Sequence, residues 1–134
     1  GSLTLAQLEE LVDKEAQKMG YKIKAFQSNH EGALLDWLQE HTSEAVGAII
    51  NPGALTHYSY ALHDCLVDTK LPIVEAHLSD IKNREEWRKK SVIAPACLAQ
   101  IGGQKEQSYL EALKVLDQEI KKSSTIGKVL DKSL

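Results

Sequence analysis

Most of the features that mark a specialised class of protein are missing from this 134-residue sequence. Its 2 cysteines, Cys65 and Cys97, have no C-x-x-C spacing, so neither a disulfide framework nor a structural zinc site is expected. No apolar run approaches the ~20 residues needed to cross a bilayer, and no signal-peptide pattern opens the chain. The formal charge of −3 supplies no nucleic-acid footprint and no acidic tail. No G-x-G-x-x-G and no P-loop occur, and Gly102-Gly103 is too short to cradle a phosphate. No serine or cysteine lies in a nucleophile motif. His30, His41, His57 and His63 lack metal-ligand spacing. These absences predict a soluble, cytoplasmic protein with neither a nucleic-acid nor a membrane partner.

What is present is an ordinary apolar content of 43%, enough for one packed domain at this length. Thr4 and Gln7 have the form of a capping box, and Leu5, Leu8, Leu11, Val12, Ala16 and Met19 follow at helical spacing before Gly20. Residues 21–26 alternate Tyr21, Ile23 and Ala25 with Lys22 and Lys24, which predicts an edge strand with one wet face. A second helix follows through Leu34, Leu35, Trp37 and Leu38, and a third through Ala61, Leu62, Cys65 and Leu66. Residues 45–50 are a continuous apolar run, as in a strand covered on both faces, residues 72–76 predict another buried strand ending at His77, and residues 94–101 predict one more. A short charged helix is expected over residues 83–90 and a last helix over residues 107–122. Residues 1–122 are thus read as one domain and residues 123–134 as a polar, frayed tail.

Alternating helix and strand argue for a three-layer α/β sandwich with a parallel sheet. The pattern opens on a helix, whereas a doubly wound sheet of the flavodoxin type opens on a central strand. The first, central strand is therefore read as missing from the sequence.

Ligands of open parallel sheets gather at the carboxyl ends of the strands. Those ends read Gln27-Ser28-Asn29, Asn51-Pro52-Gly53 and His77-Leu78-Ser79, all polar after apolar runs. Glu75 and His77 are two apart on one strand and point to the same face. The carboxylate in a covered strand needs a partner, and His77 can be that partner and serve as a general acid. A structural His–Glu contact is the plainer alternative. Asn51 and the Leu78-Ser79 turn could hold a carboxylate through neutral donors. Arg84 and Arg88, four apart on a helix, form either a solvated face or an oxygen-binding arginine.

Read in order, Gln27-Ser28-Asn29-His30-Glu31-Gly32, Ile50-Asn51-Pro52-Gly53-Ala54-Leu55-Thr56-His57, Ala61-Leu62-His63-Asp64, Glu75-Ala76-His77-Leu78-Ser79 and Arg84-Glu85-Glu86-Trp87-Arg88 resemble the type II 3-dehydroquinate dehydratase family. The resemblance runs from Gly1 to about Ile120. It implies a flavodoxin-like fold and a lyase that converts 3-dehydroquinate to 3-dehydroshikimate by anti elimination through an enolate. It also implies no cofactor, and a homo-oligomer of trimer units forming a dodecamer. By motif position, His77 protonates the departing hydroxyl with Glu75 behind it. Asn51, Leu78 and Ser79 bind the substrate carboxylate, and His57 and Arg88 hydrogen-bond ring hydroxyls. Asp64 reaches a neighbouring subunit's site.

Members of that family open with a strand, an Asn-Gly-Pro-Asn motif and a lid whose tyrosine is the catalytic base and which also bears an arginine. The matching register places all of these ahead of Gly1. The 134 residues alone are therefore expected to have little dehydratase activity. Two other readings stand beside this one. The first is a non-catalytic binding or assembly protein on the same fold. The second is a flavodoxin-type mononucleotide binder, which the lack of a phosphate-cradling loop disfavours.

Overall fold

In the computed structural model, which describes residues 3–133, helix α1 (Leu5–Lys18) begins as its capping box requires. Thr4 Oγ1 accepts the Gln7 amide at 3.1 Å and Gln7 Oε1 accepts the Thr4 amide at 2.9 Å, so two otherwise orphaned donors are satisfied. Gly20 follows with φ +92°, the left-handed backbone that ends a helix most cheaply in glycine. Helices α2 (Glu31–His41) and α3 (Tyr60–Thr69) bury Leu38, and Leu62, Cys65 and Leu66, respectively. Ser59 caps α3 by accepting the Leu62 amide and donates its own hydroxyl proton to Glu31 of α2. One serine thus starts one helix and pins it to another.

Three parallel strands form the sheet: β1 (Ala48–Ile50), β2 (Ile73–Ala76) and β3 (Ala99–Ile101), with β2 in the middle. Alternation along β2 sorts its side chains between two cores. Ile73 joins Leu38, Ile50, Leu62, Leu66 and Ile93 on the α2–α3 side. Val74 and Ala76 join Ala112 and Leu116 of α5 (Gln107–Ser133) on the other. Helix α1 packs on α5 through a face that buries Leu8, Val12 and Ala16. The result is the expected α/β arrangement, a parallel sheet between two helical layers.

Several elements differ from expectation. Residues 21–26 have no regular secondary structure and form no ladder with any described residue, so they are not a strand. Alternation reports one-sided burial, but a ladder also needs a neighbour about 4.8 Å away, which periodicity cannot reveal. Side chains hold this segment instead. Tyr21 donates its hydroxyl to Asp117 at 2.6 Å, Lys24 pairs with Glu44, and the Phe26 ring stacks on Trp37 at 5.2 Å. The charged region splits into a 3-10 turn (Ile81–Asn83) and a single turn α4 (Glu86–Lys89), so Arg84 lies outside the helix that carries Arg88. The run 94–101 begins as a 3-10 turn (Ala94–Ala96) around Pro95 and becomes strand only at Ala99. Helix α5 continues past residue 122 to Ser133, since no proline stops it and each further residue adds a backbone bond. Residues 1, 2 and 134 of the expected domain and tail lie outside the described residues.

Leu62 has no exposed surface in the α2–α3 core. Leu62→Ala is expected to cost about 2–5 kcal/mol, read as a lowered urea midpoint with an unchanged slope.

Candidate active site

The register of the sheet puts Ile50, Glu75 and Gln100 side by side across the three strands. Glu75 has no solvent exposure, and an ionised carboxylate there needs donors for its lone pairs. Four donors meet it. His77 Nε2 lies 2.5 Å and Gln100 Nε2 3.2 Å from Oε2, the Thr56 hydroxyl donates to the same oxygen, and the Ser91 hydroxyl donates to Oε1 at 2.7 Å. Burial pushes the Glu75 carboxyl up, but the bonds from His77, Thr56, Ser91 and Gln100 together outweigh it and hold the group below its ordinary value. An ionised Glu75 can only accept, so Nε2 of His77 carries a proton. Nδ1 is then the atom through which the ring exchanges protons with anything bound beside it.

His77 is itself 5% exposed, just past the end of β2, and forms part of the wall of a cavity of about 290 Å³. The same cavity is lined by Asn51 and Gly53 from the end of β1, His57 from the 3-10 turn Gly53–His57, Leu78 and Ser79, and both Arg84 and Arg88. Asn51 is oriented at both ends of its amide. Oδ1 accepts the Gly53 amide at 3.2 Å, and Nδ2 donates to the Tyr109 hydroxyl at 2.9 Å, which leaves one N–H of Nδ2 for a ligand. His57 donates Nδ1–H to the Lys90 carbonyl at 2.7 Å, so its Nε2 is the acceptor available to the cavity. Beside it, the Trp87 ring meets His57 edge-on at 5.4 Å, and the Arg88 guanidinium lies 4.1 Å from the Trp87 ring centroid while pairing with Glu85 at 2.7 Å.

An imidazole tied to a buried carboxylate, two neutral anion donors and two arginines around one cavity can protonate a leaving oxygen and hold a small polyhydroxylated acid. Comparison with known proteins shows the family. The family model described as "Dehydroquinase class II" matches residues 1–117. The chain belongs to this family. It is 47% identical over 117 residues to a 3-dehydroquinate dehydratase of Caldicellulosiruptor bescii, covering 87% of this chain and 81% of the relative. With a 3-dehydroquinate dehydratase of Clostridium beijerinckii it shares 46% over 125 residues, covering 92% and 84%. A crystal structure of a type II dehydroquinase from Butyrivibrio crossotus superposes with a TM-score of 0.82 at 37% identity, covering 86% of this chain and 81% of that one. The resemblance read from the five motifs is borne out.

Not every residue singled out in this dehydroquinase-family chain reaches the cavity. Asp64 is exposed on α3 and pairs with its neighbour His63 at 2.9 Å. Gln27, Ser28 and Asn29 do not line the cavity, and Ser28 instead accepts the His30 amide at 3.0 Å. His41 stacks on Trp37 at 4.6 Å. Among the described residues no cluster of histidine, cysteine and carboxylate could hold a metal, and no helix is long and apolar enough to cross a membrane. Both cysteines are free. Ser91, Gln100 and Tyr109 were not anticipated, since each reaches the site from a different segment outside the five motifs, and Thr56, though inside one of them, was given no role. Gly102-Gly103 also acquires a reason. A Cβ on Gly102 would lie 3.0 Å from the Ser79 carbonyl, and Gly103 has φ +84° with Asp80 3.0 Å from its missing Cβ.

Two outcomes are expected here. Gly102→Ala displaces the His77–Ser79 turn and lowers stability by about 1–3 kcal/mol, measurable by thermal melting together with shifted Ser79 amide resonances. Because the folded Glu75 carboxyl titrates below its ordinary value of 4.5, its contribution to stability is complete above that pH and is lost as pH falls through the folded value. Glu75→Gln should accordingly flatten the decline of urea stability below about pH 4.5, and an unchanged slope would contradict the assignment.

Proposed function

We propose that this chain is a hydro-lyase of the shikimate pathway that removes water from 3-dehydroquinate to give 3-dehydroshikimate. The observation that carries this reading is the His77–Glu75 contact at 2.5 Å, on the wall of the same cavity as Asn51 and Ser79. In this reading the protonated His77 ring delivers its Nδ1 proton to the departing hydroxyl, and Glu75 stabilises the imidazolium before the transfer. The substrate carboxylate takes the remaining Asn51 N–H, the Ser79 hydroxyl and the Leu78 and Ser79 amides. Ring hydroxyls are shared between His57 Nε2, as acceptor, and Arg88, as donor.

Elimination through an enolate also needs a base for the proton beside the ketone. Among the described residues, no tyrosine lines the cavity. Tyr109, bonded to Asn51, is pushed above its ordinary value by burial, and a phenol held protonated is a poor base. The described residues of this cavity therefore supply the acid half of the reaction and the groups that bind substrate. Asp64 completes a neighbouring subunit's site in a trimer, and four trimers make a cytoplasmic dodecamer. That no tyrosine among the described residues lines the cavity is what favours the second reading, a non-catalytic ligand-binding protein.

The test is to titrate the purified chain with 3-dehydroquinate by calorimetry and to follow enone absorbance in parallel. Binding is expected, with turnover about 10²–10⁴-fold below that of the full-length Caldicellulosiruptor bescii relative, the usual contribution of one acid–base group. His77→Ala should abolish any residual turnover while leaving binding within about tenfold. Absence of both binding and turnover would refute the dehydratase reading, and turnover equal to the relative's would refute the missing base.

A further inference from the structure

Three consecutive residues each grip a different member of the site. The Lys90 carbonyl accepts from His57 Nδ1, the Ser91 hydroxyl donates to Glu75 Oε1, and the Val92 amide donates to the Thr56 carbonyl, each at 2.7 Å. Ser91 Oγ also lies 3.1 Å from Thr56 Oγ1 and accepts at 3.0 Å the amide of Ala94, the first residue of the 3-10 turn Ala94–Ala96. Ser91 does not line the cavity, so it has no direct part in binding or chemistry.

Counting protons shows what the serine does. Each hydroxyl has one hydrogen, and an ionised carboxylate accepts but cannot donate. Both hydroxyl protons are therefore spent on Glu75, one on each oxygen. No hydrogen remains to lie between Ser91 Oγ and Thr56 Oγ1, and the shared carboxylate is what holds these two oxygens together. A proton added to Glu75 would meet a ring of donors, one of which would have to turn away. The arrangement is complete only with the carboxylate ionised and in one orientation.

We propose that Ser91, acting with Thr56, is a positioning residue for the elimination: the two hydroxyls clamp the Glu75 carboxylate in the orientation that offers Oε2 to His77, and the strap bearing Ser91 ties this clamp to His57 on the same cavity wall. The proposal rests on the dehydratase reading of His77. Few charged groups compete with the clamp. The Cys97 thiol, beyond the 3-10 turn, is pushed up to about 12 by burial and by Glu75, so it stays neutral. Asp80 borders His77 in a second cavity, and His57, Arg84 and Arg88 share the first. The remaining contacts of Glu75, from Thr56, Ser91 and Gln100, do not titrate.

The test uses the chain without substrate. Glutamate carboxyl ¹³C and histidine ring ¹⁵N resonances are followed against pH in the wild type, Ser91→Ala, Ser91→Thr, Thr56→Val and Thr56→Ser. Ser91→Ala and Thr56→Val should each shift the Glu75 midpoint upward and weaken the single His77 tautomer protonated at Nε2. Ser91→Thr and Thr56→Ser, which keep the hydroxyl, should restore the wild-type pattern. A folded Ser91→Ala protein with an unchanged midpoint and tautomer overturns the proposal. Thr56→Val leaves the Ala94 cap intact, so an unchanged pattern there overturns it equally should Ser91→Ala fail to fold. Because no turnover is read, these shifts in a chain that does not bind 3-dehydroquinate would refute the dehydratase reading and retain the clamp. Binding without the shifts would do the reverse.

Discussion

A carboxylate with no access to water sits in the middle strand of this sheet, and the organisation of the site follows from how it is satisfied. Removing a carboxylate from water costs several kcal/mol, while each hydrogen bond to a charged group returns about 1.5–3 kcal/mol. One such bond would not suffice. The four that converge on Glu75 come from just past the end of β2, from β3, from the turn after β1 and from the strap before Ala94. The turn after β1 and the end of β2, both of which line the cavity, are thereby bound to one charged group. Removing any one donor leaves the others facing an under-satisfied anion, so the network holds together as a unit.

The same interaction links stability to chemistry. An ionised Glu75 fixes which nitrogen of His77 carries the structural proton and leaves the other for exchange with a ligand. Lys90 does the corresponding service for His57, whose free nitrogen becomes an acceptor. The two imidazoles on one cavity therefore have opposite assignments: one donates through Nδ1 when charged, the other accepts at Nε2. Asn51 is oriented by the same logic, one end by Gly53 and the other by Tyr109. In each case a hydrogen bond to a neighbour decides which atom is left for a ligand.

Parts of this arrangement were legible before any coordinates. The spacing of Glu75 and His77 put them on one face because strands alternate with period two, and the continuous apolar run at residues 45–50 with the buried strand at residues 72–76 marked a covered parallel sheet. The capping box at Thr4 and the glycine at residue 20 formed as read, since both are contacts between residues close in the chain. Residues 21–26 misled because alternation describes burial and not pairing. Arg84 and Arg88 do share a cavity, but through the turn between Ile81–Asn83 and α4 and not along one helix.

What the sequence determined by itself is therefore local and periodic: where helices start, which strand residues share a face, and the ordered motifs that carry the family resemblance. Only the tertiary structure decided which donors reach Glu75. Gln100 arrives through the register of β3 against β2, and Thr56 and Ser91 are brought together from 35 residues apart by the closing of the strap. Such partners are set by strand register and chain closure, which depend on the packing of the whole sheet and leave no signature within any single stretch of sequence.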